Sequence, residues 1–230
     1  MQIVKAEQTL FSSGWWGVSL DKVGLEKERP DVGTYGLYDH SNLPPLSVPL
    51  DGSFSWLRDA PKHDFHIGIE RRKENERSLS QLVSACRNQN VGLPHSFVEF
   101  LSVPELQACV RSCTDCFIDL AVSPVPSPTG KGSLIRFLAD SQGCVFWYIF
   151  IPSDSNDHAI VSSSNFYDPE DTSEHPGAVN SQEGIVFAEE SFEGFICRFW
   201  IENELWFSDY DGTPISEICR RYVAAYQTEN

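Results

Sequence analysis

Cys109, Cys113 and Cys116 place three thiols within eight residues and are the best metal candidate in the chain. A structural zinc takes four ligands, commonly from two paired knuckles, and no second Cys or His pair stands at a suitable spacing. The simpler reading packs Cys109 and Cys113 on an apolar helix face and starts a strand at Cys116. Cys113-Thr114-Asp115-Cys116 has thioredoxin-type spacing, but the βαβ context is missing and Asp115 opposes a thiolate. His63 and His66 flank Asp64 and could bind a metal weakly, yet on a strand residues three apart point to opposite faces. No nucleophile elbow, P-loop, dinucleotide fingerprint or H-E-x-x-H occurs. A chain this acidic offers so many carboxylate pairs that a glycosidase requirement selects none of them. The reading is of a protein that is not an enzyme and takes no metal or cofactor.

Binding chemistry is better represented. Trp206 and Phe207 precede Asp209, Tyr210 and Asp211, and an aromatic rim beside acidic groups suits a protein-binding hot spot. Asp154, Asp157, Asp168, Glu170, Asp171 and Glu174 lie in a span from Arg136 to Arg198 that contains no other Lys or Arg. The whole chain carries a net charge of −16, and residues 93–230 hold 6 bases against 21 acids. Such a surplus repels nucleic acid and anionic membranes, whose contacts are built from Lys and Arg. It also steers a basic protein toward the surface, which can raise association rates ~10–10³-fold.

The elements that would carry these groups follow from periodicity. Leu79, Leu82, Val83 and Cys86 fall on one helix face, with Asn90 and Gly92 as the stop. Pro94 suits the first position of a second helix through Leu101, and Leu106, Cys109, Val110 and Cys113 continue helical spacing in a third segment. Phe65-His66-Ile67-Gly68-Ile69 alternates as a strand would. Residues 117–120, 134–138, 144–151 and 159–161 are β-branched and aromatic, and read as an antiparallel meander whose 144–151 strand is central and buried on both faces. Ser153 to Gly184 is rich in Ser, Asn, Asp, Gly and Pro and reads as a long solvated loop. Ser191 caps a helix whose stripe is Phe192, Phe195, Ile196, Phe199 and Trp200, with Glu193, Arg198 and Glu202 outside it. Thr213-Pro214 opens a last helix. The expected fold is a single α+β domain with a mostly antiparallel sheet of about five to six strands packed with helices. Within it, residues 1–70 form an irregular, β-rich N-terminal extension and residues 71–230 the α+β domain.

No stretch of 18 apolar residues occurs, and the start lacks a basic segment followed by an apolar run. The seven cysteines are odd in number and sit in apolar contexts, which suits reduced thiols in a cytoplasmic protein.

Gly92-Leu93-Pro94-His95-Ser96-Phe97-Val98-Glu99-Phe100-Leu101 resembles the G-x-x-L-P-x-x-[Y/F]-x-x-[F/L]-L helix signature of the SUKH superfamily, the Smi/Knr-like proteins. Val103-Pro104-Glu105 stands where that family often has an N-G-G turn. The strand containing Trp147, then Ala159-Ile160-Val161-Ser162, then Ser191-Phe192-Glu193-Gly194-Phe195, is similar to the family's later motifs. The resemblance spans residues 78–207 and implies an α+β fold without catalytic residues. In bacterial members it implies an immunity protein that neutralises a toxin, and in fungal ones a regulatory scaffold. Together with the acidic half, it predicts a protein-binding module for a basic partner, such as a nuclease-type toxin. Asp154, Asp157, Asp168, Glu170, Asp171, Glu174, Trp206 and Tyr210 are its expected contacts. The alternatives are a scaffold with no toxin partner, or a small metal-dependent hydrolase.

Overall fold

The computed structural model describes residues 10–155, 157–168 and 184–228. Strands β1 (Ser12–Ser13), β2 (Trp15–Gly17) and β3 (Gly36–Tyr38) open the chain. Helices α1 (Arg72–Gln89), α2 (His95–Ser102) and α3 (Pro104–Gln107) follow. Next come β4 (Phe117–Ile118), β5 (Val125–Pro126), β6 (Gly132–Ala139), β7 (Phe146–Pro152), β8 (Ala159–Ser163) and β9 (Ile185–Glu189), and helices α4 (Phe192–Asp211) and α5 (Glu217–Thr228) close it. The main sheet has seven strands in the order β1-β9-β8-β7-β6-β4, with β5 also on β6; β2 and β3 pair separately. All its pairings are antiparallel except β1 with β9. This is the expected α+β class in one compact domain, with a slightly larger sheet.

Alternation divides the sheet's side chains between two cores. Trp147, Ile149 and Ile151 of β7 and Ile160 of β8 face the helices, while Tyr148, Phe150 and Val161 join Phe11, Tyr167 and Phe187 in a second core. β7 is therefore buried on both faces, as its unbroken apolar run requires. A bulge between Arg136 and Leu138 breaks the register of β6 against β7. It lets two successive residues, Phe137 and Leu138, enter the helix-side core.

Residues 10–70 contribute Trp15, Leu20, Leu25, Phe54, Leu57 and Ile67 to that same helix-side core. They wrap α4 so thoroughly that Glu193, Arg198, Glu202 and Asn203 are buried together with the apolar stripe. This corrects the expectation that the charged positions of α4 lie outside the packed face. Each of them is instead given partners by the wrapping segment or by the sheet.

Other local expectations also need correction. Residues 65–69 form turns rather than a strand: Ile67 is buried, Phe65 is 86% exposed, and the Ile69 N–H donates to His66 O at 3.2 Å. The third helix stops at Gln107 instead of reaching Cys113, because the Ala108 and Val110 carbonyls accept from the His63 and Ile67 amides. Pro94 is the N-cap of α2 rather than its first residue. α5 starts at Glu217, not after Thr213, and Ser216 Oγ accepts from the Cys219 amide at 3.2 Å in the manner of a cap. The presumed loop from Ser153 to Gly184 is interrupted by β8, every residue of which is buried.

Candidate interaction groove

α4 is the axis from which the site is built. Ser191 caps it, its Oγ accepting from the Gly194 amide at 3.1 Å, and Gly212 ends it at φ 63°, the left-handed backbone that glycine adopts without strain. Its middle is held by buried ionic contacts. Glu202 accepts from Trp15 Nε1 at 2.8 Å, Arg29 Nη2 at 2.6 Å and Tyr222 Oη at 2.9 Å, with Arg29 Nη1 as a further donor. Arg198 donates to Glu189 at 3.0 Å, Pro44 O at 2.9 Å and Tyr222 at 3.2 Å. Glu193 accepts from the Gly52 and Phe54 amides and from Trp56 Nε1. With its buried length fixed in this way, the last turn of α4 is presented to solvent in a defined orientation.

That turn carries Trp206 and Tyr210. Residues four apart on a helix are surface neighbours, and here the two rings stack at 5.3 Å with only 13° between their planes. Trp206 is half-buried and Tyr210 is 74% exposed. Both line a groove of about 590 Å³ that is also lined by Asp21, Lys22, Asp31, Asp115 and Asp209. The walls are pinned. Cys113 N donates to Asn203 Oδ1 at 2.8 Å, and Asp115 holds a left-handed φ of 55°. Tyr35 Oη lies 2.6 Å from Thr114 Oγ1, 3.1 Å from Cys116 Sγ and 3.2 Å from Asp140 Oδ1. Lys22, the only cation lining the groove, contacts Asp21 at 3.1 Å. Its hydrogen bond to Asp21 raises its pKa above the usual lysine value, with Asp31 and Asp209 adding to the effect.

The expected contact residues that lie among the described residues do not line one groove. Asp154 is exposed and lines a separate cleft with Gln89, Asn90 and Ser133. Asp157 is half-buried and accepts from Ser155 Oγ at 2.9 Å. Asp168 is not a free acid on a solvated loop: it pairs with the buried Arg136 at 2.6 Å, beside Asp119 at 2.8 Å from the same guanidinium. The buried charge of Arg136 in the sheet needs that compensation. Glu170, Asp171 and Glu174 lie outside the described residues. Among the described ones, Trp206 and Tyr210 are brought together. The aspartates that share their groove, Asp21, Asp31 and Asp115, come from distant segments with no periodic signal.

The cysteines do not converge. Cys109 Sγ lies 3.3 Å from Glu105 O, whereas Cys116 Sγ approaches Tyr35 and Thr114. Burial pushes the Cys113 thiol up to about 12 and Cys86 and Cys219 to about 11, so these thiols are protonated near neutrality. Among the described residues, no group of three or more His, Cys, Asp or Glu side chains is arranged to hold a metal ion. His66 Nδ1 accepts from the Gly68 amide at 3.2 Å, while His63 approaches Glu204 at 3.5 Å. The two histidines are thus engaged in different directions.

No helix among the described residues is long and apolar enough to cross a membrane. No family model, curated protein or solved structure matches the chain.

Proposed function

We propose that this chain is a non-catalytic protein-binding module that engages a basic partner, with toxin neutralisation as its biological role. The reading is carried by the groove, which is lined by the stacked pair of the half-buried Trp206 and the exposed Tyr210, and also by four aspartates and one lysine that is itself paired. Aromatic anchors beside acidic groups supply contact area and direction together. The surplus of acids in residues 93–230 supports fast capture of a basic protein, since a single-sign surface focuses its field on an oppositely charged partner. The SUKH-like order of motifs supports immunity as the setting. A nuclease toxin would present the phosphate-binding surface to which such an acidic face is complementary.

The test is stopped-flow association with a purified basic nuclease toxin domain encoded beside the gene, with its catalytic residue removed. The on-rate is expected to fall at least about tenfold between ~0.05 and ~0.3 M salt. Expression of this chain should restore growth to a host that produces the active toxin. Absence of binding, or a salt-insensitive on-rate, would refute the reading.

A further inference from the structure

Five of the chain's eleven arginines, Arg29, Arg71, Arg111, Arg136 and Arg198, are held in a recurrent way, the guanidinium lying near an aromatic ring and paired with a carboxylate. Arg136 stands 4.1 Å from the Phe166 centroid and pairs with Asp119 and Asp168. Arg29 stands 4.2 Å from Tyr38 with Glu202 as partner, and Arg71 stands 4.9 Å from Phe117 with Asp119. The most telling case is Arg111, which lies 4.0 Å from Phe207 and bridges Glu204 at 2.8 Å and Asp211 at 3.2 Å. Glu204, Phe207 and Asp211 form one stripe along the end of α4.

The adjacent stripe of the same helix end repeats the pattern. Trp206 and Tyr210 supply a stacked ring surface, and Asp209, Asp21, Asp31 and Asp115 line the same groove. Among the described residues, no guanidinium stands over either ring, and the groove's one cation is a lysine with 72% of its side chain exposed. From this likeness we infer that the groove docks an arginine side chain of the partner. The guanidinium would lie on the exposed Tyr210 face and donate to Asp209 and Asp31. The inference rests on the protein-binding reading and names the group that the groove selects. Arginine is favoured over lysine because its plane matches a ring surface and it sheds water more readily than an ammonium.

A capped Gly-Ser-Arg-Gly-Arg-Ser-Gly peptide serves as the probe, with the lysine version as competitor, in an NMR chemical-shift titration at low salt. The arginine peptide is expected to shift Trp206 and Tyr210 signals and to bind several-fold more tightly than the lysine peptide. Asp31→Asn with Asp209→Asn should weaken binding about tenfold, and Tyr210→Ala about threefold. Glu70→Gln with Glu74→Gln removes the same number of charges from an exposed site at the start of α1 and should leave binding nearly unchanged. All these positions are exposed, so the fold is retained. Equal loss in the charge-matched control, equal affinity for the lysine peptide, or no effect of Tyr210→Ala would overturn the inference. If those groove variants still capture the basic toxin with the same salt dependence, the arginine site fails while the protein-binding reading survives. Specific arginine binding without capture of any basic protein would have the opposite meaning.

Discussion

Glu202 shows most clearly what a single residue does in this fold. Its carboxylate is buried among Trp15, Arg29 and Tyr222, and Arg29 in turn reaches Tyr226 and Val18 O. Removing one partner of such a pair leaves an uncompensated buried charge. Glu202→Ala is therefore expected to destabilise the protein by ~3–5 kcal/mol in chemical denaturation. The Glu202→Ala/Arg29→Met double variant should recover part of that loss, because no lone charge remains inside. His158 gives a second prediction at this scale. Its Nε2 accepts from the Phe192 amide at 3.1 Å, a role open only to the neutral ring, and burial lowers its pKa despite the opposing Asp157 charge. A histidine with a depressed folded-state pKa contributes stability above its unfolded value, lost as pH falls toward the folded one. The thermal midpoint should therefore decline as pH drops below about 6.5, and His158→Gln should flatten that slope. His66, also lowered by burial, leaves a residual slope. A second decline is expected at lower pH, below about 4.5, where Glu189 and Glu204 lose the stabilisation that their depressed pKa values represent.

At the scale of elements, α4 was legible in part. The Ser191 cap and the Phe192–Trp200 stripe are local signals, and both are present. The burial of Glu193 was not legible, since its three donors are main-chain and indole groups of residues 52–56, some 140 positions away. Glu193→Ala should leave the Gly52 and Phe54 amides without their acceptor. The expected cost is ~1–3 kcal/mol, with faster proteolysis within residues 50–60 as the discriminating readout. β6 is constrained differently. A Cβ on Gly132 would lie 2.3 Å from the Ile151 carbonyl oxygen, and main chain of a paired strand cannot yield cheaply. Gly132→Ala is expected to destabilise by roughly 1–3 kcal/mol in the same assay. The turn at 65–69 has a related cause: alternation is present, but the Gly68 and Ile69 amides fold back onto His66 Nδ1 and His66 O instead of pairing with a neighbouring strand.

For the molecule as a whole, residues 10–70 complete the core that the rest of the chain begins. They close the core over α4 and supply Arg29 to Glu202 and the 52–56 amides to Glu193. A fragment starting at residue 71 is expected to lose cooperative thermal unfolding and near-ultraviolet dichroism, because α4 would expose buried ions as well as apolar surface.

Composition and periodicity by themselves determined the charge of the chain, the α+β class, the doubly buried β7 and the cap and apolar stripe of α4. These depend on residue counts and on neighbours within a turn or two. Only the tertiary structure decided that Glu193, Arg198 and Glu202 are interior, that Asp168 pairs with Arg136, and that Trp206 and Tyr210 share a groove with aspartates from three distant segments. The physical reason is separation along the chain. Arg29 and Glu202 are 173 positions apart, and a local pattern records which face a side chain occupies but not which remote group will cover it.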